Sequence, residues 1–355
     1  MGQPGGADMN SLTIALAGLG GVVLAGVVAH GAWQARKAGP RRPDEPPIEP
    51  REPVLGAPAT ERIEPTVGEE PESPLPAMPR RASLRIDALI DAIATLSLEA
   101  PVSGEMVLAH QPPTRRAGSK PFLLEGLNAD NGEWEAPLPG QHYSELQAGV
   151  QLANRTGAMN EIEYSEFVQK IEPFAEAIGA MADFPDMLDA AARARELDAF
   201  AGQCDAQLAV HLQARSAAWS VGYIQQHAAR HGFVPGMVPG RLVLASTEEG
   251  APPVLTLTFD SQAALADDPN RAAVRDVTLS FDVPQTDAGA EPFIAWQASA
   301  QALSLGMDAS IVDDNGQALS PQGFAAIGNE LNQLYAALAE RDLAAGSAAA
   351  RRLFS

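Results

Sequence analysis

The segment VTLSFDV, residues 277–283, carries apolar side chains at its odd-numbered positions and Thr, Ser or Asp at the positions between them. Successive side chains of a β-strand point to opposite faces, so this alternation predicts a strand with one buried and one solvated face. Residues 254–260, VLTLTFD, and residues 207–213, QLAVHLQ, alternate in the same way. Strands of this kind are typical of an antiparallel sheet that is packed on one face only.

Helical patterns surround these strands. Residues 293–305 and the run after Ser320 place apolar residues three and four apart, and Ser320 followed by Pro321 is a strong helix start. Further helices are predicted for residues 161–180, 186–200 and 220–231. The sequence therefore predicts an α+β fold in which helices cover one face of an antiparallel sheet.

The folded sequence divides into residues 83–202 and residues 205–345. Each half is predicted to run through a strand, a helix that begins with Ser, a turn led by Phe, further strands, a polar loop and a long helix. A repeated order of this kind predicts a duplication, but low identity between the halves leaves two unrelated units as the alternative. The first strand is expected in the later half of residues 84–98, and residues 346–355 are predicted to form a flexible tail.

The N-terminus carries a candidate membrane anchor. Residues 12–33, LTIALAGLGGVVLAGVVAHGAW, begin with eighteen uncharged residues in a row. Because a bilayer core of about 30 Å needs roughly 20 apolar residues, we predict a single transmembrane helix. Basic residues follow this span but do not precede it, which predicts that residues 1–11 lie outside and the bulk of the chain in the cytoplasm. The alternative, a cleaved signal peptide, would have a basic start and a shorter apolar core.

The linker after the anchor, residues 34–82, is predicted to be a disordered tether. Twelve prolines and an excess of Glu between Pro40 and Pro79 leave too little apolar surface for a folded core. Within the anchor, Ala17, Gly21, Ala25 and Ala29 form a ridge of small residues at spacing four. Such a ridge predicts a homodimer contact between two spans, although an alanine-rich composition gives the same pattern.

Composition excludes several classes of function. A formal net charge of -21 argues against binding to nucleic acid or to an anionic lipid surface. The single cysteine, Cys204, excludes a disulfide framework and a cysteine-based zinc site, and it fits a reducing compartment.

Catalytic motifs are missing from the sequence, which contains no phosphate-binding loop, HExxH, GxSxG or dinucleotide fingerprint outside the anchor. We therefore predict a protein that is not an enzyme and has no cofactor or metal. His227 and His231 lie four residues apart on a predicted helix and make a metal-dependent hydrolase a weak alternative. No third ligand is indicated near them.

Three segments carry a family resemblance: HGFVPGMVPGRL at 231–242, VTLSFDVP at 277–284 and VDDNGQALSPQGF at 312–324. Together with the anchor and the tether, they resemble the ZipA family of membrane-anchored bacterial division proteins. The detailed resemblance covers roughly residues 205–342. It implies a domain that binds the C-terminal tail of the tubulin-like GTPase FtsZ in a shallow apolar groove on the open face of its sheet. Such a domain ties the septation ring to the inner membrane.

The resemblance places the partner site on the polar face of the predicted strands. The predicted site residues are Ala209, His211, Met237, Val243, Thr256, Thr258, Thr278 and Ser280. Family grooves display large apolar side chains, whereas only Val243 and Met237 are strongly apolar here. Each 40 Å² of apolar contact that is lost removes about 1 kcal/mol of binding free energy. A membrane-tethered adaptor for another division or envelope protein is therefore the alternative function, and an ordinary solvated sheet face is the alternative for any single residue.

Overall fold

The computed structural model describes residues 85–268 and 271–355. Within these residues the chain is an α+β protein built from helices and antiparallel sheets. The predicted periplasmic residues 1–11, the span 12–33 and the linker 34–82 lie outside the described residues. Among the residues that are described, no helix combines the length and the apolar character that crossing a bilayer requires.

The first unit contains eight strands and three helices. The strands are β1 (Asp91–Ser103), β2 (Arg116–Ala117), β3 (Lys120–Asn128), β4 (Trp134–Glu135), β5 (His142–Gln151), β6 (Ala153–Asn154), β7 (Gly157–Ala158) and β8 (Ala180–Asp183). The helices are α1 (Gly104–His110), α2 (Glu161–Ile178) and α3 (Met187–Cys204). The main sheet has the order β2-β3-β5-β1-β8, with β4 paired to β3, and β6 and β7 form a separate hairpin.

Alternation along β1 builds the core of the first unit. The strand begins in the later half of residues 84–98, as predicted, and Ala92, Ala94 and Leu96 are fully buried on one face. α2 covers this core with Phe167, whose ring meets the edge of the Phe122 ring at 5.7 Å between centroids. The helix starts with a capping box at Asn160, which satisfies amides that would otherwise lack partners.

The second unit contains six strands and four helices among its described residues. The strands are β9 (Gln207–Ala214), β10 (Val234–Pro235), β11 (Arg241–Leu244), β12 (Leu255–Thr258), β13 (Asp276–Asp282) and β14 (Ala309–Val312). The helices are α4 (Val221–Ala229), α5 (Ser261–Ala264), α6 (Pro292–Met307) and α7 (Pro321–Glu340). The sheet order is β10-β11-β12-β13-β9-β14, and its neighbouring strands pair antiparallel.

Two tryptophans fix the core of the second unit. Trp296 on α6 is fully buried, donates from Nε1 to the carbonyl of Leu279 at 2.9 Å and packs against Phe324 of α7. Trp219 is also fully buried and donates to the carbonyl of Met307 at 2.7 Å. The odd-numbered residues of β13 belong to this core, so its even-numbered residues point to the other face.

The two units arrange their equivalent strands alike. In the first unit β1 lies between β5 and β8, and in the second unit β9 lies between β13 and β14. In both, the last strand follows a long helix, α2 or α6, and pairs with the first strand of the unit. Both units therefore run through a strand, a helix, further strands and a long helix, but the predicted turn led by Phe is absent from the first unit as described, because Phe122 lies within β3.

The prediction of a flexible tail at residues 346–355 is wrong. Residues Ala348–Leu353 form a helix, α8, in which Ala350 and Leu353 are fully buried. Phe354 and Leu343 join them in the core of the first unit. The sequence did not predict this segment because a short run of Ala and Arg has no helical stripe of its own and is ordered by packing on a distant partner.

Candidate functional site

The structure gathers most of the predicted site residues on one face of the second sheet, which we call the outer face. Across the strand pairs, His211 lies opposite Thr278, Ala209 opposite Ser280, Thr256 opposite Ser280, Thr258 opposite Thr278, and Val243 opposite Thr256. Residues directly opposite in a sheet share a face. Met237 lies in the turn between β10 and β11 rather than on a strand.

Two of the predicted site residues, Thr256 and Ser280, are buried in the structure. Thr256 and Ser280 are 9 % and 6 % exposed. They lie opposite each other on the inner strands of the sheet, and the guanidinium of Arg241 donates to Thr256 Oγ1 at 3.2 Å. Short side chains in the middle of a sheet are covered by longer neighbours, so the centre of the outer face offers little surface for binding.

His211 is held by acidic neighbours on the outer face. Its Nδ1 lies 3.0 Å from Asp276 Oδ1, and its Nε2 lies 3.2 Å from Asp314 Oδ1. The hydrogen bond with Asp276 is the main cause that raises the pKa of His211 above its ordinary value, and burial of the ring opposes it. Both ring nitrogens therefore contact carboxylates of the same chain. This end of the outer face is polar and offers no apolar surface to a partner.

Apolar surface is concentrated at the β10–β11 hairpin. Val234, Met237 and Val238 are 48 %, 103 % and 55 % exposed. Val234 lies opposite Val243, so both belong to the outer face and extend it towards the turn. We call the adjoining depression the hairpin groove. It has a volume of about 710 Å³ and is lined by residues of the 235–243 hairpin and the 245–253 loop.

The hairpin turn owes its shape to Gly240. This residue has φ +78°, and a Cβ atom there would lie 2.6 Å from the carbonyl oxygen of Phe259. The amide of Gly236 donates to the carbonyl of Arg241 at 2.8 Å and closes the turn. Sequence reasoning singled out Met237 but missed Val234 and Val238. The sequence does contain a sign of their exposure, because a proline follows each valine. Prolines favour a turn, and apolar side chains in a turn do not reach the core.

Acidic side chains form the rim of the hairpin groove. Glu248 and Glu249 line it beside Arg241. Glu248 accepts from the guanidinium of Arg351 at 2.7 Å, and this hydrogen bond lowers the pKa of Glu248. An extended peptide with an apolar anchor suits this combination of apolar floor and charged rim.

The equivalent face of the first sheet is covered by its own chain. Ile86 packs against Gly149, where a Cβ atom would lie only 2.6 Å from the isoleucine side chain. The amide of Ile86 donates to Glu125 Oε1 at 2.9 Å, and Gln147 donates to the other oxygen of that buried carboxylate. The segment that leads into β1 thus covers part of this face of the first sheet.

The two histidines considered for metal binding, His227 and His231, lie in different environments. His227 is buried and stacks on Tyr223 with 4.4 Å between ring centroids, whereas His231 is exposed. In residues 85–268 and 271–355 no group of three or more His, Cys, Asp or Glu side chains is placed to hold a metal ion. Cys204 is buried, and burial raises the pKa of its thiol.

A second groove lies between α6 and α7. It has a volume of about 560 Å³, and Phe293, Ile294, Phe324 and Tyr335 line it together with amide side chains. α7 places Gly328 against the Phe293 ring, where a Cβ atom would lie 3.1 Å from Cε1.

No family model matches the chain, and no curated protein matches it.

Proposed function

We propose that this chain is a membrane-anchored, non-catalytic division protein of the ZipA type that binds the C-terminal tail of FtsZ. The hairpin groove is the observation that carries the proposal. It is lined by exposed Met237 and Val238 and by Val243 of the outer face, and the hairpin is one of the three segments that carry the family resemblance. The tail binds along the hairpin and the accessible edge of the outer face, with an apolar side chain against Met237.

The rest of the chain supplies the membrane anchor, the tether and a second folded unit. Residues 12–33 span the inner membrane with the N-terminus in the periplasm, and residues 34–82 act as the tether. The two α+β units arose by duplication, which is supported by the equivalent positions of β1 and β9 in their sheets. The covered outer face of the first sheet supports a single partner site, in the second unit.

Binding of a labelled FtsZ tail peptide to the full chain in detergent micelles tests the proposal by fluorescence anisotropy. Complete burial of a methionine side chain contributes roughly 1.5–3 kcal/mol, so Met237→Ala is expected to weaken binding about tenfold to a hundredfold. Leu305→Ala is the matched control, because Leu305 is 86 % exposed but lies on α6. Equal loss in both variants, or no binding by the unmodified chain, contradicts the proposal.

A second candidate function is a membrane-tethered adaptor for another division or envelope protein. The polar character of the outer face favours it, since His211 is engaged by two carboxylates and Thr256 and Ser280 are buried. Failure of the unmodified chain to bind the FtsZ tail, together with normal septum placement after deletion of the gene, supports the adaptor and excludes the tether.

A further inference from the structure

The last residues of the chain return to the first unit after the second unit is complete. Leu343, Ala350 and Leu353 are fully buried and belong to the core built around β1 and α2. α8 also contacts the β6 strand of that unit. The core of the first unit is therefore closed by residues that lie more than one hundred positions beyond its last helix, α3.

Arg352 binds the first unit from α8. Its guanidinium donates to both carboxylate oxygens of Asp91, at 2.6 and 2.8 Å, and to the carbonyl of Arg85 at 2.8 Å. The side chains of Arg352 and Asp91 are 8 % and 0 % exposed. Gln151 donates to the carbonyl of Arg352 at 2.6 Å. These bonds join α8 to the segment that leads into β1.

Arg351 binds the second unit from the same helix. Neighbouring helical residues point about 100° apart, so the two arginines reach different partners. The Arg351 guanidinium donates to Glu248 at 2.7 Å and to the carbonyl of Gln285 at 3.3 Å. Gln285 in turn donates to the carbonyl of Phe354. Glu248 lines the hairpin groove, so α8 is connected to the rim of that groove.

We propose that α8 is an intramolecular clasp that makes the two units one cooperative structure. Arg352 holds the start of the first unit, and Arg351 holds the loop at the hairpin groove. Release of α8 opens the core of the first unit and frees the groove loop at the same time. The clasp goes beyond the proposed function, because it depends only on contacts within the chain and not on the identity of any partner.

Hydrogen exchange of the full chain in detergent micelles, followed by mass spectrometry and NMR, tests the clasp. Arg352→Met removes the contact to the first unit and keeps an unbranched side chain. Arg351→Gln removes the contacts to Glu248 and to the Gln285 carbonyl but leaves the buried Arg352–Asp91 pair intact, so this variant folds even where Arg352→Met does not. Arg341→Gln is the control, because Arg341 also forms an ion pair, with Glu196 at 3.5 Å, but lies outside α8.

In Arg352→Met, we expect exchange in β1 and β5 to become roughly tenfold faster or more, together with faster exchange in α8. In Arg351→Gln, we expect faster exchange of the amides of Ala251 and Val254 next to the groove and no change in β1. Acceleration limited to residues 347–355 in both variants overturns the proposal. So does an effect of Arg341→Gln as large as that of Arg351→Gln.

Discussion

Replacement of Arg352 by methionine is expected to destabilise the protein far more than the loss of an ordinary surface ion pair. The variant leaves the Asp91 carboxylate, which is completely buried, without its bidentate partner. Removing one member of a buried ion pair costs about 3–5 kcal/mol because the other charge remains desolvated. Asp91 keeps one donor, the amide of Asp87 at 2.8 Å, which offsets only part of this cost.

The double variant Asp91→Leu/Arg352→Met separates the charge from the packing. With both charges removed, no buried ion is left, and apolar side chains of similar length fill the space. Replacement of a whole buried pair is often close to neutral, but here the donors to Asp91 and the bond to the Arg85 carbonyl are lost as well. We expect the double variant to be about 1–2 kcal/mol less stable than the unmodified chain, and thus more stable than Arg352→Met alone.

Urea unfolding of the full chain, followed by circular dichroism, measures this cycle. Asp91→Leu also leaves a buried charge, that of Arg352, without its partner, so each single variant is expected to cost about 3–5 kcal/mol and the coupling energy between the two sites to be at least about 4 kcal/mol. The control cycle, Arg341 with Glu196, joins side chains that are 46 % and 73 % exposed and should give less than about 1 kcal/mol. Additive effects of Asp91→Leu and Arg352→Met would refute the reasoning, and so would a cost of Arg352→Met below that of the control.

Three further predictions use other parts of the structure. The hydrogen bond with Asp276 raises the pKa of His211 above 6.5. The contacts of His211 with Asp276 and Asp314 therefore stabilise the fold fully below pH 6.5, and this stabilisation is lost as the pH rises through the folded-state pKa. Thermal unfolding should show that His211→Gln costs less stability at about pH 9 than at about pH 6. Gly346→Ala should destabilise by about 1–3 kcal/mol more than Gly132→Ala in the same assay, because both residues have positive φ but only at Gly346 would a Cβ atom meet backbone, 2.4 Å from Asp287 Cα. Calorimetry should find one FtsZ tail peptide per chain, since Ile86 covers the outer face of the first sheet, and two peptides per chain would contradict that arrangement.

The sequence was sufficient to predict those elements of the fold that depend on local patterns. Alternation in residues 277–283 places a strand there, and Ser320 with Pro321 marks the start of α7 where the structure has it. The same alternation assigns Thr278 and Ser280 to one face. It contains no information on what lies over that face, and this is the reason why the burial of Ser280 was missed.

Contacts between distant segments could not be predicted in this way. α8 is a helix because Leu353 and Phe354 enter a core formed by residues far away in the sequence, and the Arg352–Asp91 bond spans 261 positions. Ile86 packs closely on the first sheet because Gly149 has no side chain. Each of these features is a contact between two segments that are distant in the sequence. Periodicity predicts the structure of one segment and does not indicate which other segment it contacts.

The two outer faces differ in a way that explains why the groove lies in the second unit. In the first sheet, the segment that leads into β1 lies against the face opposite the core. There the amide of Ile86 donates to the Glu125 carboxylate. In the second sheet, the chain arrives at β9 directly from α3, and the cap of that helix, Asp205, is held by Arg155 at 2.6 Å. Among the described residues, the short connection from α3 to β9 does not cross the second outer face. The hairpin between β10 and β11 remains open at its edge, with Met237 fully exposed.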